Sequence, residues 1–311
     1  MTKYIVGFYS LMMLVVISCD FGPLQVITDE TETFEGITEI QVRGASLETS
    51  YFGSDDTETV SLEIFLESSN PQMDGIIYRR KGNRLEIEMG DSDGLSFWTG
   101  RTKGFISLTG PRKIALDVRN SSGTVEIRNV EHTSFDFRIS SGKMEIHNVV
   151  CDNMVLKASS GRLHGENLQG DIDLNLSSGM ATLEGVWGNV DFQGSSGSIS
   201  ISEVEGRVEG GMSSGKASLE NISEVGRLSL SSGMLTAEEV GLSSATNLQA
   251  SSGYMKIHTF SPLDEFNYDF SVGSGHLSIG GQKGSKNLKI NNGATHTIAG
   301  TLRSGKMEVV N

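Results

Sequence analysis

The triplet Ser-Ser-Gly recurs eight times, with its glycine at Gly123, Gly142, Gly161, Gly179, Gly197, Gly215, Gly233 and Gly253, so that successive copies lie 19, 19, 18, 18, 18, 18 and 20 residues apart. A unit this short cannot bury an apolar face by itself. A fixed period of this length therefore predicts a solenoid, in which each unit closes its core by stacking on the next. Weaker copies at Ser274-Gly275, Asn292-Gly293 and Ser304-Gly305 extend the series to ten intervals, the last of only 12 residues and read as an incomplete coil. At the spacing of paired strands the series would make a rod of about 50 Å.

The residues between the triplets say what kind of solenoid. Two and four positions after the glycine stand apolar pairs such as Val125 and Ile127, Met144 and Ile146, and Ile199 and Ile201. Three and five positions before it stand Ile139 and Phe137, Ala158 and Leu156, and Leu230 and Leu228. Alternation with period two is strand patterning. A straight strand across the triplet would send the two sets to opposite faces, so the chain must turn there. Ser-Ser-Gly is that turn, with glycine free to take positive φ and serine hydroxyls free to bond along the stack. Asparagines at Asn129, Asn148, Asn167 and Asn221, each just before another apolar residue, mark a second corner, because asparagine tolerates the left-handed region. The expected fold is all-β: a parallel β-helix with coils of about 18 residues, two short strands per coil and a less regular N-terminal cap.

Residues 1 to 19 run MTKYIVGFYSLMMLVVISC, one basic residue and then an apolar stretch ending in Ser18-Cys19. That is the layout of a secretory signal, and the apolar stretch is shorter than the roughly 20 residues of a spanning helix. Val16-Ile17-Ser18-Cys19 resembles the bacterial lipobox, with Val16 where leucine is commonest, and makes Cys19 the expected lipidation site. The other cysteine, Cys151, is left without a partner, which excludes a disulfide framework. With a formal net charge of −14, the chain has no basic surface with which to displace counterions from nucleic acid.

The expected organisation is a signal peptide over 1–18, a polar spacer over 19–33, an irregular β section capping the stack over 34–115, and the repeat solenoid over 116–311. In the cap, Ile37 to Val42, Val60 to Phe65, Ile76 to Arg80 and Leu85 to Met89 alternate like strands, with a hairpin turn at Lys81-Gly82-Asn83. The segment around Phe97, Trp98 and Phe105 is read as a covering loop, its aromatics filling the cap in preference to forming a carbohydrate platform. The chain stops at Gly305-Lys-Met-Glu-Val-Val-Asn311 inside a strand-like pattern, so its last coil is expected to expose an edge able to pair with a partner or a second copy.

The run from Phe105 through Pro111-Arg-Lys-Ile-Ala-Leu-Asp-Val-Arg-Asn-Ser-Ser-Gly123, followed by the repeated coils, resembles the bacterial DUF4097 family of adhesin-like proteins and its relative, the head GIN domain (DUF2807). The resemblance covers about residues 33 to 311. It implies a parallel β-helix on an envelope protein, and it brings no catalytic residues.

Chemistry-bearing constellations are sparse. Outward positions one, three and five after the glycine read Thr124, Glu126, Arg128, then Lys143, Glu145, His147, then Arg162, His164, Glu166, as solvated ladders of mixed sign. His147 and His164 fall on adjacent coils in neighbouring columns, near Glu145 and Glu166, and are weak candidates for a metal; with six histidines and no His-x-His or His-Glu-x-x-His spacing, chance surface placement is the expectation. A serine repeated eight times is turn chemistry, since a catalytic serine would be singular and paired with a base. No cofactor is expected. The reading is a non-catalytic, lipid-anchored protein of the cell envelope, outer membrane with the leaflet left open, serving as an adhesin-like binding surface or structural rod for an unidentified glycan or protein. The alternatives are a glycan-active enzyme on a β-helix and an envelope-stress sensor or scaffold.

Overall fold

Alternating apolar residues on either side of a tight turn can bury their shared face only against another copy of themselves, and the chain stacks accordingly. The computed structural model describes residues 22–90 and 101–311. Through the repeat the strands run β8 (Ala115–Asn120), β9 (Thr124–Glu131), β10 (Ser134–Ile139), β11 (Lys143–Ala158), β12 (Arg162–Trp187), β13 (Val190–Met212), β14 (Lys216–Leu230), β15 (Met234–Val240), β16 (Asn247–Ala250) and β17 (Tyr254–Thr259), after seven N-terminal strands. Pairing is parallel and in step with the triplet: Lys143 faces Thr124 on one side and Arg162 on the other, and Phe137 lies between Val118 and Leu156. Strand β12, 26 residues long, is continuous through a Ser-Ser-Gly corner. The result is an all-β, solenoid-like fold with one continuous core, in which Phe137, Leu156, Leu174 and Phe192 stand above one another, all fully buried. Burial of each such side chain is worth about 1.5–3 kcal/mol.

Both corners are visible in the backbone. Asn129, Asn148, Asn167 and Asn221 take φ near +55°, as do Glu203 and Glu239 at the equivalent place. The asparagine amides also form a ladder, Asn148 Nδ2 donating to Asn129 Oδ1 at 3.0 Å and Asn167 Nδ2 to Asn148 Oδ1 at 3.2 Å. At the other corner the expectation needs amending. Gly123, Gly197, Gly215, Gly233 and Gly253 have positive φ, but Gly142, Gly161 and Gly179 do not. What excludes a side chain at those three is the approach of the coil before, since a Cβ on each would run into the carbonyl oxygen of Gly123, Gly142 and Gly161 respectively. The corner is tied by backbone groups, with Ser141 N donating to Ser121 O at 2.8 Å and Met180 N to Gly161 O at 3.0 Å.

At the N-terminal end the strands are β1 (Gln25–Glu35), β2 (Glu39–Ala45), β3 (Glu48–Ser54), β4 (Thr59–Ser68), β5 (Ile76–Lys81), β6 (Arg84–Met89) and β7 (Thr102–Pro111). Strands β2 and β3 are regular members of the stack, each held between two parallel neighbours: β2 between β6 and β8, and β3 between β7 and β9. The irregular cap is therefore confined to the antiparallel strands, with β4 on β7, β1 on β4 and β5 on β6. The segment expected as a spacer up to residue 33 belongs to β1 from Gln25 onward, where it pairs with β4 from Gln25–Ser68 to Glu35–Thr59. Its exposed Asp29, Glu30 and Glu32 charge this outer strand, a feature that opposes edge-to-edge association. Strand β3 escaped the alternation reading because its buried face is Thr49, Tyr51 and Gly53, only one of them a large hydrophobe. Phe105 stacks on Phe65 with ring centroids 5.9 Å apart, while Phe97 and Trp98 lie outside the described residues.

The C-terminal end corrects the expected order of coils. Here β18 (Phe266–Val272), β19 (His276–Ile279), β20 (Gln282–Gly284) and β21 (Asn287–Ile290) precede β22 (His296–Leu302) and β23 (Lys306–Val310). Strand β22 lies between β16 and β18, and β23 between β17 and β19. The last coil in sequence is thus inserted below the one that precedes it, and Gly305, not Gly275, stacks on Gly253. The far side of β18 and β19 is covered by β21 and β20 running antiparallel. Residues 305–311 consequently form no open edge, and self-pairing through them loses its premise, because the backbone groups of β23 face strands on both sides. Gly293 has nothing around it and is a turn outside the corner column. Among the described residues no helix is long and apolar enough to cross a membrane.

Candidate functional site

Because outward side chains recur at a fixed place in each coil, every surface feature of the stack is a column. On the face that follows the Ser-Ser-Gly corner, Glu145 lies between Glu126 and His164, and His147 between Arg128 and Glu166. Glu145, His147, His164 and Glu166 thus form a two-by-two checkerboard of acids and imidazoles. His147 Nδ1 is 3.0 Å from Glu166 Oε2, and the two imidazole rings meet edge to face at 5.7 Å. One ligand atom from each of His147, His164 and Glu166 lies within 4.8 Å of the others. The two histidines that the sequence offered as weak candidates are therefore neighbours in space, and Glu166 completes a three-residue set. Lys143 holds Glu145 at 2.6 Å and, with the nearby His147 and His164, keeps its carboxyl below the ordinary range against the opposing effect of burial.

The strands that run into the corner carry a basic column. Arg43, Arg119 and Arg138 succeed one another across β2, β8 and β10, and Lys157 follows on β11. Asp117 and Asp136 stand beside it: Arg43 Nη2 lies 2.8 Å from Asp117 Oδ2, Arg119 reaches both aspartates, and Arg138 pairs with Asp136. Burial alone would raise the Asp117 carboxyl, but hydrogen bonds from Arg43 and Gln41 and the adjoining guanidinium charges hold it below its ordinary value. Near the C-terminal end a cleft of about 900 Å³ lies between β19, β20 and β23, lined by His276, Lys283, Lys306 and Glu308 among others.

A family model named Toastrack DUF4097 matches residues 37–309. The chain belongs to the Toastrack DUF4097 family. None of the curated proteins matches its sequence. Among solved structures, a "putative adhesin" from Parabacteroides distasonis is similar with a TM-score of 0.53 at 12% identity, covering 93% of this chain and 98% of that one. A "putative adhesin" from Bacteroides fragilis has a TM-score of 0.38 at 16% identity, covering 91% and 97%. At such identities the likeness bears on fold alone, and only the first is close enough to carry even that.

In this Toastrack chain the turn glycines serve the corner column and the serines beside them continue its backbone ladder. Cys19 lies outside the described residues. Two features of the Toastrack surface had no signal in the sequence. Arg43 joins Arg119 and Arg138 only because its coil is inserted between β6 and β8, 76 residues away from Arg119 in the chain. The cleft beside Lys306 exists only because β23 is threaded beneath β19.

Proposed function

We propose that this Toastrack protein is a non-catalytic, lipid-anchored component of the cell envelope whose solenoid side is a binding surface, in the manner of an adhesin. The observation that carries the reading is the corner column from Gly123 to Gly253, whose glycines touch backbone to backbone and keep successive coils in register. A stack so locked, with about 18 residues per turn of a parallel β-helix, presents long rigid columns and has little chain to spare for a catalytic cleft. A signal-like N-terminus ending in Cys19 supports export and lipidation, with the outer membrane as the destination. The structure of similar fold from Parabacteroides distasonis, named "putative adhesin", agrees with a surface role.

The test is fractionation of Cys19→Ala alongside protease shaving of intact cells carrying the wild type. Release of the variant from the membrane fraction and shaving of the wild type are the expected results. A variant that stays membrane-bound removes the anchor, and a protected wild type moves the protein to a periplasmic scaffold role. Robust turnover of an envelope or host polysaccharide, abolished by substitution of a few acids, would overturn the non-catalytic reading.

A further inference from the structure

We infer that His147, His164 and Glu166 form a zinc site of the open type on the side of the stack. The donor set selects the metal. Two imidazole nitrogens and a carboxylate are the ligands of a borderline cation such as Zn²⁺, whereas calcium and magnesium take oxygen ligands throughout. Geometry agrees with that choice. Tetrahedral bonds of about 2.0–2.1 Å place ligand atoms about 3.3 Å apart. His147 Nδ1 and Glu166 Oε2 stand at 3.0 Å already, and the whole trio lies within 4.8 Å. Closing the remainder needs only rotation of side-chain ends, because the strands below are fixed in register by the pairing of β11 with β12.

The surrounding charges leave Glu166 available. On β9 Arg128 is held by Glu126, and on β11 Lys143 is held by Glu145. Glu166 has His147 as its ion-pair partner among the described residues. With the proton of the neutral ring on Nε2, His147 Nδ1 would offer its lone pair to the metal in place of its contact with Glu166. The His147 side chain is 13% exposed and that of Glu166 44%, so one ligand is anchored in the sheet surface and the metal's fourth position opens to water or to a ligand atom from a partner. A site built across β11 and β12 would cross-tie two coils.

The experiment is calorimetric titration of ZnCl2 into the full chain after chelator treatment, with proton–carbon spectra of the histidine rings. A single zinc per chain is expected, with ring shifts confined to His147 and His164. His147→Gln, His164→Gln and Glu166→Gln should each weaken binding by at least about tenfold. His258→Gln removes another imidazole bonded to a carboxylate, Glu238 at 2.9 Å, and should change nothing. All four positions are on the outside of the sheet, and far-UV circular dichroism checks that the variants fold. A wild type that takes up no zinc, or an isotherm unchanged in both His147→Gln and His164→Gln, overturns the site.

Discussion

Gly305 rests on Gly253 across 52 residues of chain: Lys306 N donates to Gly253 O at 2.9 Å, and His276 N donates in turn to Gly305 O at 2.8 Å. The coil that comes last in sequence is therefore second to last in space. At the other end β2 and β3 sit between coils that follow them in the chain. Each end of the stack is thus closed by chain folded back over a coil already in place, and each outermost parallel coil is covered by antiparallel strands. Such a closure protects strand edges that would otherwise template association.

Removal of residues 295–311 tests this order. The strands β18 and β19 pair in parallel only with β22 and β23 and would keep only their antiparallel partners β21 and β20, so the truncation should sharply lower amide protection over 266–279 as well as exposing β16 and β17. Hydrogen exchange would read it. Protection of 266–279 surviving the truncation would restore the simple sequential stack.

A side chain at Gly305 meets both obstacles of the corner, a φ of +97° and the carbonyl oxygen of Gly253, whereas Gly293 at φ +72° has open space around it. Each pays the strain of the left-handed region, about 1–3 kcal/mol, but only the first also clashes. In urea denaturation Gly305→Ala should lose clearly more stability than Gly293→Ala, and equal losses would count against the corner contact.

Cys151 is 8% exposed and, chiefly through burial, its thiol is pushed up to about 11. At about pH 8 the native thiol should be almost wholly protonated and should react with iodoacetamide far more slowly than a free cysteine, while denaturant should restore ordinary reactivity. Fast labelling of the native protein would contradict the buried placement.

Acid should weaken the stack through Asp117 and Glu224. Asp117 is held down by Arg43 and Gln41 despite its burial, and Glu224 is held down first by the Ser243 hydroxyl and then by Arg207. A carboxyl lowered in the folded state contributes stability that is full above its unfolded value near 4 and is lost as pH falls through the folded one. The urea midpoint should therefore drop between about pH 5 and about pH 2, and Asp117→Asn should flatten that slope while lowering the midpoint at neutral pH. An unchanged slope in the variant would remove Asp117 from the account.

The sequence alone specifies the repeat, the strand alternation and the corners, because each is a local demand: an apolar residue at every second place, a residue that tolerates the left-handed region at Asn129 and its equivalents, and a glycine at the Ser-Ser-Gly turn. It also put His147 and His164 on adjacent coils, since a column position follows from counting residues from the glycine. Which coil lies on which was set by long-range contacts. Parallel pairing asks for the same alternating strand on either side, so the coil ending in Gly305 and the coil ending in Gly275 satisfy Gly253 equally well at the level of pattern. The choice between them rests on the path of the connecting chain and on the antiparallel strands that cover the end, both of them long-range contacts that no local motif records. The meeting of Arg43 with Arg119 and the cleft beside Lys306 follow from that choice, and the distance from His147 to Glu166 follows from side-chain packing between neighbouring strands.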